Sequence, residues 1–262
     1  NSDQDLVYTI IPIANGCAGT PFEYTLTVQP IPVVADKDET ICNGETFTIQ
    51  PTDNFPTEII PIGTTYSWPA PVSNPTGVIT GGTSASAQSL ISQTLSNTSD
   101  YPATLTYSVT PHFNGCDGET FDIVITVNPT VGVDAIPDQV LCNGDNTLAV
   151  DFGTSIEDDV DQDSGEISYT WTNDNTDIGL DPLGTGNISS FTTTNSTTAP
   201  ITANIIVSSV YTYNDISCEG ESETFSITVN PSPQVNFSED EQFITSGDTN
   251  VPVSLSSPTN GV

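Results

Sequence analysis

Arginine is absent from this 262-residue chain, and Lys37 is its only lysine. Against that single cation stand 34 aspartates and glutamates, for a net charge of −33. Nucleic acid is excluded as a partner, because phosphates are gripped by clustered Lys and Arg. An anionic membrane surface repels such a chain. No segment approaches the roughly 20 consecutive apolar residues of a spanning helix, so direct membrane insertion by that route is not expected. Methionine is missing and long runs of helix formers are missing with it. The opening residues carry no leader pattern and read as the interior of a strand, the expectation for a piece of something larger.

Histidine is nearly absent too. His112 is the only one, and the matching stretch a hundred residues later has none. Nucleophilic catalysis by serine or cysteine needs a base beside the nucleophile, so His112 reads as an incidental surface residue in a turn. Carboxylates abound, but no pair recurs along the chain, and sandwich domains of this size rarely hold a hydrolytic cleft. The chain is therefore expected not to be an enzyme.

What is present is Thr, Val and Ile, punctuated by Pro, Gly, Asn and Asp. That is an all-β composition, and it is arranged as a repeat. Asn15-Gly16-Cys17 to Val28-Gln29-Pro30, Asn114-Gly115-Cys116 to Val127-Asn128-Pro129, and Ser217-Cys218 to Val229-Asn230-Pro231 superimpose, with cysteine 13 residues before proline in each. The residues between alternate apolar and polar, as in Phe121-Asp122-Ile123-Val124-Ile125-Thr126-Val127, the pattern of a strand with one buried face. A second signature follows each proline: Ile41-Cys42-Asn43-Gly44, Leu141-Cys142-Asn143-Gly144 and Ile244-Thr245-Ser246-Gly247, the last without cysteine. Tyr66-Ser67-Trp68 and Tyr169-Thr170-Trp171 form a third pair.

A period of about one hundred residues is one β-sandwich domain, too long for a solenoid or propeller repeat. The expected organisation is tandem immunoglobulin-type sandwiches of seven strands, strung as beads. Residues 1–30 are the closing hairpin of one module, 31–130 and 131–231 are complete modules, and 232–262 open the next. In the first complete module the strands are expected near 33–39, 45–50, 64–69, 77–81, 89–96, 104–111 and 120–128. Trp68 and Trp171 fall on the third strand and are read as core.

These motifs resemble the PKD-like repeats, of immunoglobulin type, found in giant surface proteins of gliding and marine Bacteroidetes. The residues that carry the likeness are Ile-Cys-Asn-Gly at 41–44, Tyr-Ser-Trp at 66–68, Tyr-Ser-Val-Thr-Pro at 107–111, Asn-Gly-Cys-Asp-Gly at 114–118 and Val-Asn-Pro at 127–129. The resemblance implies a large cell-surface adhesin, similar to those of flavobacterial gliding motility. It also implies export by type IX secretion and display outside the cell.

Five cysteines at repeat spacing suit disulfides in an oxidising setting. Two pairings are open. Within modules, Cys42 would bond Cys116 and Cys142 would bond Cys218. These positions sit in turns at opposite ends of a sandwich, about 33 Å apart for a ten-residue strand, whereas a disulfide needs Cα atoms within about 7 Å. Between modules, Cys42 would bond Cys218, with Cys116 pairing upstream and Cys142 downstream of this stretch.

Three further candidates remain. Asp159, Asp161 and Asp163 alternate as hard oxygen ligands for calcium should, although the run lacks a closing glutamate; the alternative is a solvated loop, with no cofactor at all. Tyr101, Phe55 and Phe191 are the aromatics that could form a glycan-binding platform, as in an accessory module of a polysaccharide-degrading enzyme. Asn97, Asn187, Asn195 and Asn236 each begin an Asn-X-Ser/Thr triplet, which an Asn- and Thr-rich chain produces by chance. Expected partners are neighbouring modules of the same chain and a surface or glycan ligand, with self-association through sheet edges as a further route.

Overall fold

The computed structural model describes residues 3–154, 165–237, 243, 245–247, 249 and 252–257. Among the described residues strands dominate, and the one helical element is a 3-10 turn at Thr176–Ile178. The chain packs as two compact units, one of Asn1–Pro129 with Tyr213–Ile216, the other of Thr130–Thr212 with Ser217–Val262.

The first unit opens with a hairpin, β1 (Gln4–Ile10) and β4 (Phe22–Val28), whose tip holds β2 (Ile13–Ala14) and β3 (Cys17–Ala18). Asn15 and Gly16 take positive φ at that tip, the conformation that a tight hairpin turn requires. Strands β5 (Lys37–Cys42), β6 (Thr46–Ile49), β7 (Thr65–Trp68), β8 (Val72–Asn74), β9 (Ile79–Thr80), β10 (Ala85–Gln88), β11 (Ile91–Thr94), β12 (Ser96–Asn97), β13 (Ala103–Phe113), β14 (Cys116–Asp117) and β15 (Phe121–Asn128) follow. The larger sheet runs β10-β7-β13-β15-β5, and β6 with β11, and β9 with β12, make the opposing layer. β5 joins parallel to β15, from Ile123↔Lys37 to Asn128↔Cys42.

Alternation along β13 and β15 turns one face inward. Leu105, Tyr107 and Val109 meet Phe121, Ile123, Ile125 and Val127, all at most 3% exposed. Phe47 and Ile91 close the core from the other layer. Tyr107 lies at its centre, 5.4 Å from the Phe47 ring and 6.3 Å from Trp68 in edge-on contact. Each such large side chain contributes roughly 1.5–3 kcal/mol by leaving water.

The second unit repeats the plan. β16 (Gln139–Cys142), β17 (Glu166–Asn173), β18 (Leu183–Thr185), β19 (Ile201–Tyr213), β20 (Ile216–Glu219) and β21 (Glu223–Asn230) are followed by β22 (Asn236–Phe237) and β23 (Leu255–Ser256). The sheet order β16-β21-β19-β17-β18 reproduces that of the first unit, with β16 parallel to β21. Among the described residues the opposing layer is represented by the bridges Asn146↔Thr192 and Val150↔Ile188. Trp171 packs into this core, and Gly184 lies directly on its ring, where a Cβ would come within 2.2 Å.

Three expectations shift. The first strand of the 31–130 stretch lies at Lys37–Cys42 rather than 33–39, because its partner is the parallel edge of β15, while Val33 makes only a bridge to Ile59. Cys42 thus ends a strand instead of sitting in a turn. His112 likewise belongs to β13, paired with Thr65, and not to a turn. The short strands β8 and β10 carried no clear alternation.

Candidate functional site

The repeated Cys-Asn-Gly segment builds the same loop twice. After β5, Cys42 N donates to Glu45 Oε2 at 2.9 Å, and Asn43 N and Gly44 N donate to Asn128 O and Leu95 O. After β16, Cys142 N donates to Asp145 Oδ2 at 3.0 Å, and Asn143 N and Gly144 N donate to Asn230 O and Thr193 O. Gly44 and Gly144 both take positive φ, which accounts for glycine at that place.

A buried asparagine braces each loop. Asn97 N donates to Asn43 Oδ1, and Asn97 Nδ2 donates to Val127 O and Tyr101 O. Its Oδ1 accepts from Ser99 N and Ser99 Oγ. Asn195 does the same with Asn143, Val229 O, Ala199 O and Thr197. Two of the Asn-X-Ser/Thr triplets are therefore structural plugs, with the third-position hydroxyl bonded back to the asparagine. Asn187 has a related use, accepting from Phe152 N and donating to Asp151.

At two of the three repeat prolines the preceding residue bonds to a hairpin. Asn128 is fully buried, and its Nδ2 donates to Tyr213 O at 3.1 Å inside the first unit. Gln29, its counterpart, receives the Cys116 thiol at 3.9 Å. Asn230, the third counterpart, is part-exposed.

Cys42 and Cys218 are each disulfide-bonded, whereas Cys17, Cys116 and Cys142 carry free thiols. The within-module bonds Cys42–Cys116 and Cys142–Cys218 are accordingly not formed. Cys42 pairs with Asn128 at one end of β15, while Cys116 pairs with Phe113 beyond the far end of β13, and eleven residues of β13 separate those ends.

His112 is not isolated. Its Nε2 lies 2.6 Å from Ser67 Oγ, and its Nδ1 lies 2.6 Å from Asp117 Oδ1. The connectivity is that of a Ser–His–Asp relay, and single-sequence reading had no means of finding it, since Ser67 lies 45 residues from His112. Acyl transfer also requires donors aimed at the developing oxyanion. Ser67 lies within β7, which has paired strands on both sides. Neither of two described surface grooves includes Ser67 or His112. One, of about 800 Å³, is lined by Pro32, Val34, Asp36, Asp117 and Phe121. The other, of about 400 Å³, is lined by Asp134, Ile136, Leu148 and Asp151. The trio ties a strand to the hairpin beside it.

Lys37 Nζ bonds Glu58 Oε1 at 2.7 Å, and that hydrogen bond holds the Glu58 carboxyl below the usual range. Burial raises Glu39, and hydrogen bonds from Asn204 lower Asp174. Among the described residues no three His, Cys, Asp or Glu side chains converge to hold a metal. Asp159, Asp161 and Asp163 lie outside the described residues. Of the aromatic candidates, Phe55 is 70% and Tyr101 37% exposed, while Phe191 packs against the second core and is no platform. Among the described residues no helix is long and apolar enough to cross a membrane.

The family described as PKD-like domain matches residues 1–32 and 39–131. No curated protein matches the chain. Among solved structures, mouse cadherin-23 EC22-24 aligns with 12% identity over 87% of this chain and 76% of its own, at a TM-score of 0.33. The FN1-FN3 domains of chicken CNTN1 align with 10% identity over 85% and 77%, at 0.33. The N-terminal four Ig domains of Dscam1 isoform 6.9 align with 11% identity over 80% and 51%, at 0.28. Over residues 1–32 and 39–131 the chain is similar to a PKD-like domain, and its sheet order is that of an immunoglobulin-type sandwich.

Proposed function

We propose that this chain is a non-catalytic stalk segment of a large bacterial cell-surface adhesin, exported by type IX secretion and serving surface attachment or gliding. Modules of one type in series, with prolines at their joins, make a semi-rigid spacer. Net charge of −33 keeps such rods soluble and apart. The observation that carries the reading is the oxidation pattern: Cys42 and Cys218 are disulfide-bonded while the other three cysteines are not. Bonded to each other, they would staple successive modules and carry tension covalently.

Peptide mapping of the non-reduced chain tests this, with a Cys42–Cys218 peptide pair expected. Single-molecule pulling supplies the mechanical half. The residues between 42 and 218 should contribute no length until a reductant is added, and full extension without reductant would overturn the proposal. Glycan recognition is a second reading, favoured by the exposed Phe55 ring. Glycan-array binding lost in Phe55→Ala would promote it.

A further inference from the structure

We infer that Asn15 and Asn114 are sites of spontaneous modification, converting to aspartyl and isoaspartyl residues with water as the co-reactant, while Asn43 and Asn143 in the same dipeptide are held against it. This chemistry is independent of the stalk reading. Asn-Gly occurs five times in the chain, at 15–16, 43–44, 114–115, 143–144 and 260–261, and the last lies outside the described residues. The dipeptide is reactive because glycine puts no Cβ beside the main-chain nitrogen that must approach the asparagine Cγ.

Free space does not separate the four described copies. A Cβ built on Gly16, Gly44, Gly115 or Gly144 would meet nothing within 4 Å. Hydrogen bonds do separate them. In the loops after β5 and β16, Gly44 N donates to Leu95 O at 2.8 Å and Gly144 N donates to Thr193 O at 3.0 Å. The attacking nitrogen is spent in both. The amide under attack is fixed as well, since Asn43 Oδ1 accepts from Asn97 N and Asn143 Oδ1 accepts from Asn195 N, each at 2.8 Å. Asn143 Nδ2 donates in addition to Ser232 Oγ.

Two hairpin tips have none of these restraints. Asn15 and Gly16 take φ of 49° and 81°, and Asn114 and Gly115 take 47° and 81°, the two-residue turn with both central residues at positive φ. Strand pairing stops on either side, at Ala14↔Cys17 and Phe113↔Cys116. Both residues of each tip are exposed, and among the described residues neither tip spends its Asn amide or Gly nitrogen on a hydrogen bond. The third tip, Asn214-Asp215, shares the positive φ but has no glycine.

At Asn114 the Gly115 nitrogen attacks Cγ and gives up its proton to solvent, closing a cyclic imide. The side-chain nitrogen takes up a proton and leaves as ammonia. Water then adds to either ring carbonyl and opens the ring. One opening gives aspartate, and the other routes the main chain through the side-chain carbon, lengthening it within a tight turn. Water is consumed and ammonia released, with no change of oxidation state. Each event adds a carboxylate at the tip, and at Asn114 it falls two residues from Cys116, whose thiol meets Gln29.

Incubating the full folded chain in mildly alkaline buffer, then reducing it and digesting after glutamate, allows fragmentation to locate the mass gain of amide-to-acid conversion. Asn15 and Asn114 should convert at least roughly tenfold faster than Asn43 and Asn143, where two hydrogen bonds must open first. The same incubation in concentrated urea should bring the four rates together, because unfolding removes the hydrogen bonds and leaves the dipeptide. Conversion of Asn43 or Asn143 at the pace of the tips in the folded chain would overturn the inference. So would tips that stay intact in the folded chain yet convert in urea, or a difference between tips and loops that persists in urea.

Discussion

Gly220 packs so closely on Val131 that a Cβ at Gly220 would sit 1.8 Å from the Val131 carbonyl oxygen. That carbonyl also accepts a hydrogen bond from the buried Ser209 hydroxyl. Gly118 has the same relation to Pro32, whose carbonyl oxygen would lie 2.2 Å from a Cβ. The glycines two residues after Cys116 and Cys218 therefore clamp the segment that follows the preceding repeat proline. Gly118→Ala and Gly220→Ala should each cost about 1–3 kcal/mol, the usual range for overpacking. Gly132→Ala, with only Glu221 at 4.0 Å, should be tolerated. Urea denaturation of the three variants checks the order.

The buried asparagines offer a second measurement. Asn97 and Asn195 are 5% and 4% exposed, and each satisfies two main-chain carbonyls while bonding its own Ser or Thr two residues on. Alanine takes the side-chain donor from the Val127 and Val229 carbonyls inside the sandwich, while Tyr101 and Ala199 keep the Ser99 and Thr197 hydroxyls; losing such a buried partner costs about 1–3 kcal/mol. Asn97→Ala and Asn195→Ala should both lower the urea midpoint strongly. Equal stability of either variant with the parent chain would remove the bracing role.

These asparagines also mark where sequence reading stops. Period-2 alternation made the long strands legible, because Leu105, Tyr107 and Val109 must share one face whatever the neighbours are. Cys-Asn-Gly and Asn-Gly-Cys marked turns through the backbone demands of Asn and Gly. The recurrence of Asn-X-Ser/Thr about a hundred residues apart was present in the same text. It resembled chance because a plug differs from any other polar triplet only in what lies above it, Val127 and Val229. Ser67 and His112 failed to connect for a similar reason: their contact depends on the lateral order of β7 and β13, which alternation does not encode.

Tyrosine ionisation should govern alkaline stability. Burial, with a smaller contribution from the Glu58 charge, pushes Tyr66 up to about 12, and burial drives Tyr107 higher still. The folded chain keeps both phenols neutral, while the unfolded chain releases their protons from about pH 10. Stability is therefore present below about pH 10 and is lost as pH climbs through the interval up to the folded value. Tyr66→Phe should flatten the alkaline limb of a urea-midpoint profile, and absorbance titration should show one late-ionising phenol fewer.

The acid limb has the opposite sign. Lys37 holds Glu58 ionised below its ordinary range, so their pair stabilises the fold above the unfolded carboxyl value of about 4.3. That contribution disappears as pH falls through the lower, folded value. Protonating the remaining carboxylates relieves mutual repulsion and works the other way, so the informative quantity is a difference. The gap in midpoint between the parent chain and Glu58→Gln should be greatest near neutrality and close between about pH 5 and pH 3. A gap unchanged across that interval would mean the ion pair contributes nothing beyond packing.

Ser67, His112 and Asp117 supply the sharpest contrast between connectivity and chemistry. Their two contacts of 2.6 Å satisfy the bonding pattern of a nucleophile, a base and an orienting acid. Transition-state stabilisation needs a preorganised pocket as well as the relay, and neither of the two described grooves reaches this serine, which lies within a doubly paired strand. The chain should hydrolyse p-nitrophenyl acetate no faster than free imidazole at equal concentration, with Ser67→Ala leaving the rate unchanged. His112→Ala should instead lower stability by about 0.5–1.5 kcal/mol, the net worth of a hydrogen bond, because it unties β7 from the β14 hairpin. A serine-dependent burst of nitrophenol would reverse the assignment and make this sheet face an active site.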